Sequence, residues 1–195
     1  MNIQQTTVEE FLKKTASNAP TPSGGSICAV SACFATALCQ MVANLTIGKE
    51  KFKKYESELV DFLGKIEQLQ KDFFTLAQSD MVCLKALLKS DSEFKQNLLK
   101  KAVVPPKKVM KTSLLVLDLI LNVVEKSNRA VLSDFGVAAT LLIAATEGAY
   151  LNVCENLYYL KDKELAQSQK MECLEVLKKC HKSAEKVLKN VKREF

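Results

Sequence analysis

The sequence has few residues that interrupt helices. It contains four prolines and six glycines among 195 residues, and it contains no tryptophan. Since turns and loops draw on proline and glycine, these low counts predict few turns and long elements. Alanine, leucine, lysine, glutamate and glutamine, which favour helices, are abundant. The composition therefore predicts an all-α protein.

Patterns that bind metal ions are also missing. The chain has one histidine, His181, and its seven cysteines include no C-x-x-C pair. A zinc site built from thiols and imidazoles is therefore not expected, and we predict no metal. The cysteines are interpreted as small apolar residues of helix interiors in a reducing compartment. His181 is expected at the surface of the last helix rather than as a catalyst.

No secretory signal is recognisable at the N-terminus. The segment "MNIQQTTVEEFLKK" has no basic stretch followed by an apolar core. A cytoplasmic location is therefore expected.

The net charge is +6, and lysines cluster at 49–54, 105–111 and 186–193. Acidic residues are mixed through the same helices and no nucleic-acid-binding motif is present, so nucleic acid is not an expected partner. Solvated helix faces are the simplest interpretation of the clusters. A site for a small polyanion is the alternative.

Apolar spacing and capping signals predict about six helices. Thr7 and Glu10 form a capping box for the first helix. Ser26 and Asp134 are candidate N-caps of the second and the fifth, and a proline pair at 105–106 suits the first turn of the fourth. The predicted helices cover residues 7–16, 26–48, 49–89, 105–126, 135–161 and 163–192.

The third predicted helix, 49–89, contains no proline and only one glycine, Gly64. At about 1.5 Å per residue it would reach ~60 Å, which suits an elongated bundle or the seam of a dimer. No linker or shift in composition divides the chain, so we predict a single domain over residues 1–195.

The stretch from Ser26 to Gly48 contains no charged residue. It is long enough to span a membrane, but Gln40 and Asn44 place amide groups on one of its faces. No second span is recognised, and a membrane partner is not expected. A central helix, buried by its neighbours on every side, is the preferred interpretation. The small-residue-rich helix 135–161 is the expected packing partner.

The segment "PSGGS" places free backbone N–H groups at the N-terminus of this uncharged helix. Such an arrangement suits an anion, because the N–H groups and the helix dipole both favour negative charge. The segment is not a phosphate-binding Walker loop, since no G-K-[ST] follows.

Four segments together resemble the cyclodeaminase/cyclohydrolase family, and the resemblance covers nearly the whole chain. They are "P-x-P-S-G-G-S", "MVANLTIGKEKF", an aspartate in the long helix, and "SDFGVAA". The family comprises the cyclodeaminase domain of formiminotransferase-cyclodeaminase and stand-alone methenyltetrahydrofolate cyclohydrolases. The resemblance implies an all-α homodimer that acts on a tetrahydrofolate derivative, possibly polyglutamylated, without a cofactor.

The resemblance implies that Asp80 is the catalytic residue. The family's aspartate stands in a D-x-x-x-F pattern, and here Leu84 replaces the aromatic residue. Asp72 fits the spacing less well. From the residues alone, a surface carboxylate paired with Lys85 or Lys89 is the preferred interpretation of Asp80, and the resemblance reverses that preference.

The resemblance also implies a set of substrate-binding residues. Within it, Ser23 stands where the family usually has a third glycine, and Lys49 is the first candidate for the anionic glutamate end. Arg129 and Ala130 depart from the family's usual N-P-N before "SDFGVAA". The implied set is Ser23, Gly24, Gly25, Ser26, Asn44, Thr46, Lys49, Asp134 and Asn152.

The function implied is hydrolysis of 5,10-methenyltetrahydrofolate to 10-formyltetrahydrofolate. Water would attack the carbon between two nitrogens, with Asp80 as the base, because burial among apolar residues raises a carboxyl pKa toward neutrality. Formiminotetrahydrofolate cyclodeamination, with release of ammonia, is an alternative. A catalytically inactive folate-binding helical dimer is another.

Overall fold

The computed structural model describes residues 1–91 and 94–194, and within these ranges it contains seven α-helices and no β-strand. The all-α prediction is confirmed. The helices are α1 (Val8–Thr15), α2 (Gly24–Asn44), α3 (Glu56–Lys89), α4 (Lys95–Ala102), α5 (Val104–Val123), α6 (Leu132–Tyr158) and α7 (Lys163–Lys192). Short 3-10 helices occupy Ile3–Gln5, Glu50–Tyr55, Val124–Lys126 and Arg129–Val131.

The sequence signals predicted for the starts of two helices, α1 and α5, are present in the structure. The Glu10 N–H donates to the Thr7 hydroxyl at 3.2 Å, and the Thr7 N–H donates to the Glu10 carboxylate at 3.0 Å. This is the capping box of α1. Pro105 and Pro106 lie in the first turn of α5, where a missing N–H costs nothing.

The uncharged helix α2 lies at the centre of the bundle and packs against α3, α5 and α6. Its partner α6 is the small-residue-rich helix expected from the sequence. A Cβ atom at Gly148 would lie 2.5 Å from the Cys28 sulfur, so this glycine lets the two helices approach closely. The prediction that α2 is buried on every side is wrong, however, because the Phe34 side chain of α2 is 53% exposed.

Two helices are long and apolar enough to cross a membrane, judged by length and composition alone. One is Gly24–Asn44 and the other is Arg129–Tyr158, a second candidate that was not expected from the sequence. They pack on each other in the core, with 56% and 44% of their most apolar windows buried. Core helices surrounded by neighbours have the same composition.

The boundaries of α2 and α3 differ from the prediction. Ser23 occupies the N-cap position of α2 without a side-chain capping bond, so Ser26 lies inside the helix instead of capping it. After α2 ends at Asn44, Gly48 adopts a φ of 78°, a left-handed conformation that favours glycine. A 3-10 helix follows, and α3 therefore has 34 residues, or ~50 Å, rather than ~60 Å.

Asp134 does not cap α6, because that helix already begins at Leu132 and places Asp134 in its first turn. A carboxylate in the first turn still stabilises the helix through its dipole.

The short helix α4 was not predicted. Gln96 joins it to the C-terminal end of α6, since its amide nitrogen donates to the Tyr159 carbonyl at 3.1 Å and its amide oxygen accepts from the Lys161 N–H at 2.8 Å. At the other end of α4, the Asn156 amide donates to the Ala102 carbonyl at 3.2 Å. An eight-residue helix is unstable alone, so these contacts explain its existence better than its sequence does.

Candidate active site

Asp80 lies on α3 and faces the N-terminus of α2. The Ser26 hydroxyl donates to its Oδ2 atom at 2.9 Å, and the Ser23 hydroxyl donates to the same oxygen at 3.3 Å. These serines, and not Lys85 or Lys89, are its hydrogen-bond partners in the described part of the chain. The half-buried carboxylate is thus fixed by residues more than 50 positions away in the sequence.

Gly25 permits this close approach. A Cβ atom at position 25 would lie 2.2 Å from Oδ1 and 2.8 Å from Oδ2 of Asp80, far inside van der Waals contact. The carboxylate therefore occupies the space where any other residue would have a side chain. The anion predicted for the "PSGGS" turn is the protein's own Asp80, held where helix N–H groups and the helix dipole favour negative charge.

The pKa of Asp80 is raised above the usual value of an aspartate. Burial raises it, because desolvation disfavours the charged form, while the hydrogen bonds from Ser26 and Ser23 lower it by a smaller amount. A carboxylate whose pKa moves toward neutrality is a better general base at physiological pH than an exposed one.

A cavity of about 520 Å³ opens beside Asp80. Its walls come from the N-terminus of α2, the second half of α3, helix α4 and the C-terminal part of α6. Leucines of α3 give it an apolar side, and Asn152, Glu155 and Asn156 of α6 give it a polar side. This size and mixture of surfaces are typical of a small-molecule site.

Asn152 lies next to Gly24 in this cavity. A Cβ atom at Gly24 would lie 3.5 Å from the Asn152 amide nitrogen, which is ordinary contact distance. The same nitrogen donates to the Gly148 carbonyl one turn earlier, at 2.8 Å, and this bond orients the side chain. The structure thus brings six of the predicted residues together: Ser23, Gly24, Gly25, Ser26, Asp80 and Asn152.

The other four predicted residues, Asn44, Thr46, Lys49 and Asp134, are not part of this group. They lie toward the opposite end of α2, a helix of 21 residues, and hence ~30 Å from Ser23. Asn44 and Lys49 are exposed there, and Asp134 is half-buried at the start of α6. Within one chain, the structure does not bring Lys49 to a substrate that reacts at Asp80.

Thr46 forms hydrogen bonds with the backbone near the C-terminal end of α2. Its buried hydroxyl donates to the Val42 carbonyl at 2.7 Å and accepts the Asn128 N–H at 3.0 Å. The Asn128 amide also donates to the Leu45 carbonyl at 3.2 Å. These bonds hold the connection between α5 and α6 against the end of α2.

Several cavity residues were missed by sequence reasoning. Lys95 and Leu99 belong to α4, which carried no recognisable helix signal, and Tyr159 follows α6. Leu84, noted only as a departure from an aromatic position, lines the cavity one turn after Asp80. Asn156 was not missed in this way, because Asn152 and Asn156 resemble the family's N-x-x-x-N and so share a helix face, although Asn156 was not placed in the implied set.

His181 lies apart from this cavity, on α7. Its Nε2 atom is 2.8 Å from a carboxylate oxygen of Glu147, and both side chains are about half exposed. Among the described residues, no group of three or more histidine, cysteine, aspartate or glutamate side chains could hold a metal ion.

Comparisons with known proteins agree on one family. The family model described as formiminotransferase-cyclodeaminase matches residues 7–175. A methenyltetrahydrofolate cyclohydrolase from Methylorubrum extorquens is 34% identical over 95% of this chain and 96% of its own length. A formimidoyltransferase-cyclodeaminase from Dictyostelium discoideum is 28% identical over 93% of this chain, which spans only 35% of that longer protein.

A solved structure supports the same relationship. The crystal structure of a formiminotetrahydrofolate cyclodeaminase from Thermotoga maritima matches with a TM-score of 0.87 and 28% identity. The match covers 98% of this chain and 96% of that chain.

Proposed function

The chain belongs to the formiminotransferase-cyclodeaminase family, and on that basis we propose that it is an enzyme of folate one-carbon metabolism, a methenyltetrahydrofolate cyclohydrolase. Its reaction is the hydrolysis of 5,10-methenyltetrahydrofolate to 10-formyltetrahydrofolate. One observation carries the assignment to a site: a carboxylate with a raised pKa, Asp80, is held by two serines beside a cavity of about 520 Å³.

In this mechanism Asp80 acts as the general base. The reacting carbon of the substrate lies between two nitrogens, N5 and N10, that share a positive charge. Asp80 takes a proton from water as the water oxygen bonds to this carbon. The bond from the carbon to N5 then breaks, and the protonated Asp80 returns its proton to N5. The hydroxyl proton on the carbon is released to solvent, and the carbon remains on N10 as a formyl group.

The neighbours of Asp80 position it for this step. Ser23 and Ser26 fix Oδ2, and Gly25 leaves the space in which the carboxylate sits. Asn152, whose amide is oriented by the Gly148 carbonyl, offers polar contacts to the heterocycle. We assign Gly24 to the cavity wall, where it allows the substrate to approach the backbone.

Formiminotetrahydrofolate cyclodeamination is the second candidate, and the close structural match to a protein of that name favours it. In that reaction N10 attacks the formimino carbon and ammonia leaves. The leaving nitrogen needs a proton, and a carboxyl group with a raised pKa can shuttle one from N10. Asp80 would then act in the same place and in the same order, first as a base toward N10 and then as an acid toward the leaving nitrogen.

A two-substrate assay tests the proposal. We expect the purified protein to accelerate the loss of near-ultraviolet absorbance of 5,10-methenyltetrahydrofolate, and Asp80→Asn to lower this rate by at least a hundredfold. Asp72→Asn is the matched control, because Asp72 lies on the same helix, is exposed and accepts a hydrogen bond from Gln68. Retained activity in Asp80→Asn would refute the assignment of Asp80.

The formimino substrate distinguishes between the remaining candidate functions. Ammonia release from formiminotetrahydrofolate, without hydrolysis of the methenyl compound, would replace the cyclohydrolase by the cyclodeaminase. Turnover of neither substrate, together with tight binding of tetrahydrofolate, would identify an inactive folate-binding protein. A cytoplasmic location and activity without metal or cofactor stay predictions.

We further propose that the chain forms a homodimer through α2. The uncharged helix leaves apolar residues at seven- and four-residue spacing toward solvent, with Phe34 53%, Met41 38% and Leu45 42% exposed. Exposing these apolar residues to water is unfavourable, and they can be buried against the same residues of a second copy of the chain. If the two α2 helices pair antiparallel, Asn44 and Lys49 of one copy approach the Asp80 end of the other.

A further inference from the structure

The cavity beside Asp80 continues along α3 toward α4. Leu84, Leu87 and Leu88 line it, and they follow Asp80 by four, seven and eight positions. This spacing places all three on the face of the helix that carries Asp80. At about 1.5 Å per residue, the apolar track runs from ~6 Å to ~12 Å beyond the carboxylate.

Lys95 stands at the α4 end of this track. Among the described residues that line the cavity, it alone carries a positive charge, while Asp80 and Glu155 are acidic. The cavity therefore has the Asp80 carboxylate at one end, leucines of α3 along one side and the Lys95 ammonium group at the α4 end, while Glu155 lies with Asn152 and Asn156 on the side formed by α6.

The position of Lys95 is fixed by its neighbours in α4. Gln96, the next residue, bonds to the backbone at Tyr159 and Lys161 through both ends of its amide. Asn156 holds the last turn of α4 at Ala102. The backbone that carries Lys95 is therefore tied to α6 at both ends of a short helix.

This distribution of charge matches the order of groups in the substrate class of the proposed function, on which the inference rests. In a folate, the reacting carbon lies between the pterin and an aminobenzoyl ring. The ring is followed by glutamate, which is anionic. We propose that Lys95 binds the glutamate carboxylates while the aminobenzoyl ring lies on Leu84, Leu87 and Leu88. Lys95 then takes the role that the sequence suggested for Lys49, which lies beyond reach in the same chain.

A lysine at this position selects for the tail of the substrate and has no part in the chemistry. Its loss therefore raises KM and leaves kcat unchanged. Because Lys95 is exposed, its charge pair with a carboxylate is screened by solvent, and we expect KM to rise by about two- to fivefold, the effect of a good surface pair.

The test compares two substrates in Lys95→Gln and in Lys100→Gln. Lys100 is the matched control, since it is an exposed lysine of the same helix that does not line the cavity. The substrates are 5,10-methenyltetrahydrofolate and the corresponding pteroate, which lacks glutamate. Lys95→Gln should raise KM about two- to fivefold for the folate alone, and Lys100→Gln should leave KM unchanged for both substrates.

Two results would overturn the inference. One is an equal KM of Lys95→Gln and wild type for the folate, and the other is an equal rise for both substrates. If the wild type turns over neither the methenyl nor the formimino compound, the proposed function fails instead. In that case, calorimetry with tetrahydrofolate and tetrahydropteroate tests the proposed role of Lys95. A tighter binding of tetrahydrofolate that is lost in Lys95→Gln would support this role. Equal affinities of the wild type for the two compounds would overturn it.

Discussion

Replacing Gly25 by alanine should disable the site while leaving the protein folded. The added methyl carbon would lie 2.2 Å from Oδ1 of Asp80, about 1.2 Å closer than the 3.4 Å at which ordinary contact begins. Gly25 lies in the first turn of α2, so relief has to come from the Asp80 side chain. That movement breaks or stretches the hydrogen bonds from Ser23 and Ser26.

The size of the effect follows from the displacement. Moving a catalytic group by about 1 Å can cost about a hundredfold in rate, which corresponds to ~2.7 kcal/mol of transition-state stabilisation. Overpacking costs about 1–3 kcal/mol of folding stability. Alanine recovers about 0.5–1 kcal/mol of that as a better helix former than glycine. The net loss of folding stability is therefore about 0–2.5 kcal/mol, no larger than the loss of transition-state stabilisation.

The assay measures kcat by loss of methenyl absorbance, with circular dichroism to verify folding. Gly64→Ala is the control, because position 64 is also helical and a Cβ atom there meets nothing within 4 Å. It should gain about 0.5–1 kcal/mol of stability at unchanged kcat. Wild-type kcat in Gly25→Ala would refute the reasoning, because the carboxylate at its observed position and the methyl group exclude each other.

Two further predictions concern the pH profile and the assembly. Ser26→Ala removes a hydrogen bond that lowers the pKa of Asp80, so the acidic limb of kcat/KM should move to higher pH; an unmoved limb, or one at lower pH, would contradict this. Phe34→Glu should convert the proposed dimer to a monomer in light scattering. Val60→Glu, on α3 and also 53% exposed, should not, and a dimeric Phe34→Glu variant would exclude α2 as the interface.

Local features of the fold were predictable because their causes are local. The capping box of Thr7 and Glu10 involves four consecutive residues, and the proline pair at the start of α5 fixes its own backbone. Helix α4 was not predictable, since eight residues do not form a stable helix alone. It depends on Gln96 and Asn156, whose partners lie more than 50 residues away.

The features of the candidate site also divide into some that the sequence predicts and some that it does not. Nothing local to Gly25 indicates that its missing side chain makes room for Asp80, because that contact joins two helices across 55 positions of sequence. The separation of Lys49 from Asp80 was contained in the sequence, however. One uninterrupted helix that begins near Ser23 and ends at Asn44 already implies ~30 Å between its ends.

The burial of α2 also lowers the reactivity of its cysteine thiols toward oxidants and alkylating reagents. Burial raises the pKa of Cys28 to about 11 and that of Cys33 to about 12. Only about one Cys28 in ten thousand is therefore a thiolate at pH 7, and the thiolate is the reactive form. Cys83 and Cys154 are less buried. Thiol chemistry is thus directed away from α2 and toward these two cysteines, of which Cys83 lines the cavity beside Asp80.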